Sequence, residues 1–521
     1  MPDRWQTYPI EFRGGLISNL SPLQHGSAAP GSARNLINFE ASTEGGYRRI
    51  EGFSKFNSNI VTGQNNILGV TFFRDRAITA RDQTSGDPKL FAGARGTTDN
   101  PTAWTDLSTS LTLGTNTSRV RFCKYNFDGN DKLFIVDGIG YPLILAGVAA
   151  SDLSQLSGPS DLQGATHAVE FKEHIFAAKG ENLVFSAPFE DDDFTAASGG
   201  GIINVGSTIT DLIVFREQLI VFSEDRISRI VGNSIADFQM QPITDNIGCV
   251  VSDTAQEISG DVIFLGPDGL RTVAGTERNE DFNLASITKP VQKEIVSLTT
   301  ANTSFASLTL REKSQYRIFG FSSTTTAAAS KGIIGTQLQG AQGAEINWSE
   351  TTGIKAFVAD STYTGKTEIA LFANDDGYVY EMESGNSFDG TDITASFSTP
   401  FFPITDPRTR KTIYRATIYT DPQGSVDLDF NVKYDLSESG VIEPDTISLN
   451  NTSSSGGIFI FGDPDVKFGT ATYSGESLQS IFDTQTQGSG FTVSLQFESS
   501  GTNPPFSLDA AVIEFGQYGR R

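Results

Sequence analysis

The chain is expected to be all-β: a six- or seven-bladed β-propeller inserted into a β-sandwich-like domain built from the two chain ends. Three observations point there. Among 521 residues, 52 glycines punctuate short apolar runs, the pattern of many strands joined by turns. A hairpin pattern recurs along the middle of the chain. Beyond about residue 394 the rhythm changes to strict apolar–polar alternation, which means burial on one face only. Helix-period stretches are scarce, and residues 287–298 are the best of them.

The hairpin repeat carries the propeller reading. Lys132-Leu-Phe-Ile-Val-Asp-Gly leads into Tyr141-Pro-Leu-Ile-Leu, and Lys172-Glu-His-Ile-Phe-Ala-Ala leads through Lys179-Gly-Glu-Asn into Leu183-Val-Phe-Ser. Arg216-Glu-Gln-Leu-Ile-Val-Phe-Ser and Gly260-Asp-Val-Ile-Phe-Leu-Gly open the third and fourth copies. Looser copies lie over residues 316–338 and 368–382, and residues 72–93 supply one more. Each pairs an apolar strand with a second strand through a Gly, Asp or Asn turn. Asp268-Gly269 and Asp376-Gly377 have the residues of tight hairpins, because glycine accepts positive φ. Copies start roughly 40 to 54 residues apart, the period of a four-stranded propeller blade. A β-sandwich with irregular spacing is the rival architecture, and the repeated period favours the propeller.

The flanks differ. Residues 1–60 hold loop-like stretches such as Leu20-Ser-Pro-Leu-Gln-His-Gly, and residues 61–394 form the repeat. Residues 395–521 alternate in Thr412-Ile-Tyr-Arg-Ala-Thr-Ile-Tyr, Ser425-Val-Asp-Leu-Asp-Phe-Asn-Val and Thr492-Val-Ser-Leu-Gln-Phe-Glu. The first and last segments are expected to share one platform domain around the inserted propeller. Ser- and Thr-rich stretches at 322–330 and 450–457 read as exposed loops.

Composition narrows the function. With 38 Lys plus Arg against 62 Asp plus Glu, the formal net charge is −24. No clustered basic run is available to grip phosphates, so sequence-specific DNA binding is not expected. The two cysteines, Cys123 and Cys249, read as small buried hydrophobes in a reducing compartment. Residues 1–12 carry no basic region followed by an apolar stretch, and the apolar run at 141–150 is about half a membrane span. Synthesis in a cytosol, with no membrane anchor, is the expectation.

The chain carries little recognisable catalytic or metal-binding chemistry. His167 and His174, seven apart, would face opposite sides of a single strand and could not chelate one ion. Gly365-Lys-Thr resembles the end of a phosphate loop, but position 360 is Asp rather than Gly, and a strand follows. Asp128-Gly-Asn-Asp131 lacks the calcium-loop glutamate, since position 139 is Ile. The acidic run Glu190-Asp-Asp-Asp193 reads as a solvated loop between blades. A paired-carboxylate glycosidase would draw its acids from different blades. No catalytic, metal or cofactor residues are assigned.

Scattered stretches together resemble a family. These are Phe12-Arg-Gly-Gly-Leu, Ala29-Pro-Gly-Ser-Ala-Arg-Asn35, Glu44-Gly-Gly-Tyr-Arg-Arg-Ile50, Phe215-Arg-Glu-Gln-Leu-Ile-Val-Phe222, Ile247-Gly-Cys-Val, Ile263-Phe-Leu-Gly-Pro-Asp-Gly269 and Asn503-Pro-Pro-Phe-Ser-Leu-Asp. Their order is similar to that of the tail nozzle, hub or packaged-DNA stabilisation proteins of short-tailed double-stranded DNA phages. The resemblance implies a homo-oligomeric ring, usually a hexamer, at the distal end of the tail. It also implies tail adaptors and fibres as neighbours, duplex DNA passing without sequence-specific contact, no cofactor, and a place in the virion after assembly in the host cytoplasm. Arg48 and Arg49, matching the family's Tyr-Arg-Arg stretch, are expected to pair with carboxylates and fix the terminal domain. Arg520 and Arg521 are expected to reach a neighbouring subunit. A receptor-binding or fibre-like tail protein is the second reading, and a propeller glycoside hydrolase the third.

Overall fold

A computed structural model describes residues 5–83, 86–96, 102–109, 111, 113–278, 286–340, 343–437, 443–450 and 480–520. Six four-stranded blades form the propeller. Blade 1 comprises Ile67–Phe73, Arg76–Arg81, Lys89–Gly93 and Thr105–Asp106, and blade 2 comprises Arg121–Tyr125, Lys132–Val136, Leu143–Leu145 and Leu153–Gln155. Blade 3 is His167–Phe171, His174–Lys179, Asn182–Phe185 and Gly201–Asn204; blade 4 is Ile209–Phe215, Gln218–Ser223, Ile227–Val231 and Gln239–Thr244. A three-stranded sheet follows, of Gln256–Ile258, Asp261–Gly266 and Gly269–Thr272. Blade 5 contains Ser304–Leu310, Gln315–Phe321, Lys331–Gly340 and Gly343–Thr352. In blade 6, Val358–Thr364, Thr367–Ala373 and Val379–Met382 take their fourth strand, Phe53–Lys55, from before blade 1. That strand closes the ring, so the propeller reaches back before residue 61.

Four blades carry an unbroken apolar run in the second strand, Leu133–Val136, Ile175–Ala178, Leu219–Phe222 and Ile369–Ala373, because both its faces are covered. Leu219 and Val221 pack toward blade 3, while Ile220 and Phe222 pack toward the three-stranded sheet. Phe134 and Val136 face blade 3, while Leu133 and Ile135 face blade 1. Ile369 and Leu371 likewise serve one interface, and Ala370 and Phe372 the other. Each such side chain contributes about 1.5–3 kcal/mol by leaving water. Alternation thus persists, but between two dry layers instead of between core and solvent.

Tight turns fall partly where glycine suggests and partly elsewhere: Lys179 pairs with Asn182 around Gly180-Glu181, as the sequence indicates. Gly266 pairs with Gly269, so the turn residues are Pro267 and Asp268, and Gly269 (φ 133°) follows them. Ala373 pairs with Val379, so Asp376-Gly377 sits within a five-residue connection. Two-residue turns with positive φ at both positions instead fall on Arg74-Asp75, Lys172-Glu173 and Arg216-Glu217. In each, phenylalanine precedes a basic and then an acidic residue. Their basic side chains reach the next unit of the ring: Arg74 donates to the Asp131 carbonyl at 2.7 Å, Lys172 meets Glu217 at 3.1 Å, and Arg216 donates to the Gly260 carbonyl at 2.7 Å. These bonds offset part of the left-handed backbone cost of about 1–2 kcal/mol per residue.

The chain ends pair with each other. Gln6–Glu11 runs antiparallel to Phe506–Arg520, which also pairs with Thr409–Pro422 along its length. Phe39–Ala41, Tyr47–Arg49, Ile481–Gln485 and Ser489–Gly490 complete this seven-stranded sheet. Asn35–Ile37, Ile393–Ser398, Val493–Gly501, Asp429–Tyr434 and Ile447–Ser448 continue directly from blade 5 as one nine-stranded sheet. Aromatic rings join the two sheets, with Tyr47 and Phe397 edge to face at 4.8 Å. Strand Ile393–Ser398 already belongs to this region, just before residue 395.

Helix Gln292–Ala301 realises the one helical stretch expected, extended by a 3-10 turn at Lys289–Val291. Residues 322–330 form turns and a short 3-10 segment; of 450–457, all but Asn450 lie outside the described residues. No helix among the described residues is long and apolar enough to cross a membrane.

Candidate functional site

The inner strands of the blades converge on a central cavity of about 420 Å³. Charged side chains occupy it. Arg119 and Arg121 are two apart at the entry to blade 2, so they project to the same side. Asp253 arrives on the loop before the three-stranded sheet, with its own φ at 63°. Arg121 grips it with two nitrogens, Nε to Oδ1 at 2.6 Å and Nη2 to Oδ2 at 3.0 Å, and Arg119 Nε adds a contact to Oδ2 at 3.1 Å. Burial works against the Asp253 carboxylate, but the Arg121 and Arg119 charges overcome it and hold its pKa well below the usual range. Arg119 also donates to the Phe305 carbonyl at 3.0 Å and lies 4.3 Å above the Phe357 ring.

Three further groups line the same space. Asp211 sits at an irregularity in the inner strand of blade 4 and accepts the Leu212 N–H at 2.9 Å and the Ala255 N–H at 3.3 Å. Burial, with the Asp253 charge behind it, pushes the Asp211 carboxyl up to about 7. Asp360 accepts from the Thr71 hydroxyl at 2.7 Å and meets Lys124 at 3.5 Å. His167 begins the inner strand of blade 3 and is 5% exposed. Burial, and then the charge of Arg121, holds its imidazole well below its ordinary pKa, so it is neutral.

Both Asp253 oxygens are committed to guanidinium groups, which removes their basicity and screens them from an incoming sugar carbon. The two guanidinium groups orient and neutralise Asp253. Among the described residues, no group of three or more His, Cys, Asp or Glu side chains is placed to hold a metal ion.

Apart from His167, the residues singled out from sequence lie elsewhere. Arg48 pairs with Glu51 at 2.7 Å and with the Gln423 amide oxygen at 3.2 Å. Arg49 is buried and is held chiefly by main-chain oxygens, those of Asn386, Gly501 and Asn503, at 3.2, 3.1 and 2.8 Å. Backbone carbonyls thus take the place expected of a carboxylate. Arg520 stands in strand register opposite Thr409, and Arg521 lies outside the described residues. His167 and His174 fall on two strands joined by the Lys172-Glu173 turn, not on one. Gly365-Lys366 forms a two-residue hairpin turn between Thr364 and Thr367. In the acidic run, Asp191 accepts from Tyr125 and Lys132, both at 2.8 Å. Both cysteines are free and buried, and burial pushes each thiol up to about 12.

Arg119, Arg121 and Asp253 are not among the residues the sequence alone marks out. A signal was present: Arg-Val-Arg opening a strand that otherwise reads as core. Its acidic partner lies 132 residues further on.

No family model and no curated protein matches the chain. Among solved structures, one similar chain is the extracellular domain of a protein assigned to the one-component systems of B. thetaiotaomicron. The two share 12% identity over 69% of this chain and 43% of the other, with a TM-score of 0.37. The match therefore spans less than half of that chain, and so loose a likeness assigns no function here.

Proposed function

We propose that the protein is a structural component of a short phage tail: a nozzle or hub subunit that assembles into a ring, retains packaged DNA and lines the path of its ejection. The observation that carries this reading is the continuity of one nine-stranded sheet from blade 5 into the terminal domain. Propeller and platform are thereby joined as a single block through main-chain hydrogen bonds, which suits a load-bearing ring subunit. The Arg119–Asp253–Arg121 cluster lies in the propeller's own centre, whose cavity of about 420 Å³ is too small for a duplex. Duplex DNA would have to pass between copies, not through one. The formal charge of −24 favours a lumen along which the duplex slides without being held. The reading is non-enzymatic, and the clamped state of Asp253 supports that.

Light scattering on the purified full chain tests it. A mass six times the 56.1 kDa chain, either alone or on mixing with a tail adaptor complex, is expected. A stable trimer would favour a receptor-binding fibre instead.

A further inference from the structure

Positive charge is in surplus on the walls of the central cavity. Arg119, Arg121 and Lys124 stand against Asp253 and Asp360, three cations against two ion-paired carboxylates. The third carboxyl, Asp211, is held by the main-chain N–H groups of Leu212 and Ala255. Burial and the Asp253 charge favour its protonated, uncharged form. One positive charge is thus left over, in a chain whose formal net charge is −24.

The cations are within reach of a guest, since the side chains of Arg119, Arg121 and Lys124 are 14%, 21% and 37% exposed. A guanidinium has five N–H donors. Arg121 commits three, two to Asp253 and one to the Thr166 carbonyl at 3.0 Å. Arg119 also commits three, to Asp253 and to the Phe305 and Phe357 carbonyls. Each therefore keeps donors for a further acceptor.

The surplus decides the guest. A cation adds to it, and a neutral molecule leaves it uncompensated in a site withdrawn from water. A dianion overshoots it by a charge. A monoanion cancels it, and a planar carboxylate matches the guanidinium fork. Phe122, Leu212 and Ile213, partly exposed in the same lining, suit an apolar body. The volume of about 420 Å³ falls within the small-molecule range of roughly 300–1,000 Å³.

We infer that the propeller centre binds a small monocarboxylate, its head on Arg119, Arg121 and Lys124 and its apolar body against Phe122, Leu212 and Ile213. The site lies within one propeller and is independent of the ring-forming role proposed above.

Asp211 makes this binding depend on pH. Around it stand Arg119 and Arg121 of blade 2, His167 of blade 3, Cys249 and Asp253 of the loop before the three-stranded sheet, and Tyr316 of blade 5, with Lys124 and Asp360 on the same walls. His167 is held neutral, burial raises the Cys249 and Tyr316 groups, and the arginines keep Asp253 ionised. As pH rises through about 7, Asp211 ionises and cancels the surplus that holds the guest.

Isothermal titration calorimetry on the full chain tests this with benzoate and hexanoate, with benzamide and hexanamide as their uncharged counterparts and inorganic sulfate as the dianion. Saturable binding of at least one carboxylate near pH 6 is expected, with none of either amide or of sulfate. Its affinity should fall roughly tenfold from about pH 6 to about pH 8, and in Asp211→Asn this fall should vanish. Lys124→Met should weaken binding roughly tenfold or more. Failure of both carboxylates, equal binding of an amide, binding of sulfate in their place, or an affinity of the unaltered protein that ignores pH would each overturn the assignment. So would a fall with pH that persists in Asp211→Asn, or binding unaltered in a folded Lys124→Met.

Discussion

Arg317 and Glu40 meet at 3.0 Å with their side chains 1% and 3% exposed, tying blade 5 to a strand that lies 277 residues earlier in the chain. They do not stand alone. Arg317 also reaches Glu383 at 2.7 Å, Lys313 meets Glu40 at 2.8 Å and Glu51 at 3.7 Å, and Arg48 meets Glu51 at 2.7 Å. Three cations and three carboxylates form a balanced chain where the platform, blade 5 and the end of blade 6 come together. Arg48, singled out from sequence, is its outer member.

Removing one buried partner from such a chain leaves its counter-ions uncompensated. Arg317→Ala is therefore expected to cost about 3–5 kcal/mol, read as a lower urea midpoint. Arg48→Ala, at the half-exposed outer end, should cost about 1 kcal/mol or less. Equal losses for the two would contradict the order of burial.

Ring closure depends on a short strand. Phe53 stacks on Phe388 at 5.0 Å and meets Phe372 and Tyr380 edge to face at 5.0 and 5.2 Å. Phe53→Ala should lose about 3–5 kcal/mol, with hydrogen exchange accelerating first in Val379–Met382, whose outer edge it uncovers. Uniform acceleration across all blades would place the closure elsewhere.

Asp211 gives the fold a pH signature. Its carboxyl titrates near 7 when folded against an ordinary 3.8, so the folded chain binds the extra proton between those values. Its contribution to stability is therefore greatest below about pH 4, falls as pH rises toward 7 and is level above that. Asp211→Asn should remove this slope, gaining on the unaltered protein by a few kcal/mol, roughly, between pH 4 and pH 8. Denaturant midpoints across that range measure it, and parallel curves would refute it.

The strained turns offer a gain in place of a loss. Asp75 holds φ at 61°, and Asp75→Gly should stabilise the protein by about 1 kcal/mol. Arg74→Gly relieves similar strain but gives up the bond to Asp131, so it should gain less. Thermal melts of the two variants decide the point.

These turns also mark what the sequence could and could not convey. Strands such as Leu219-Ile-Val-Phe222 were legible because burial on both faces leaves an unbroken apolar run. At Asp268-Gly269 the turn lies one residue before the pair the glycine pattern marks, and at Arg74-Asp75, Lys172-Glu173 and Arg216-Glu217 charged residues bear the positive φ that glycine usually bears, their basic side chains tied to the neighbouring unit. That signal existed in the repeated Phe–basic–acidic triplet at 73–75, 171–173 and 215–217. The central cluster was hidden more deeply. Arg121 and Asp253 are joined only by the circular arrangement of blades, and no local pattern encodes a partner across the ring.

Electron microscopy of the purified protein, alone and bound to a tail adaptor complex, tests the central claim most directly. The account predicts sixfold rings with the propellers around an open lumen wide enough for duplex DNA, and no duplex-wide passage through any single propeller. Stable trimers, or single particles that never join a tail, would contradict it.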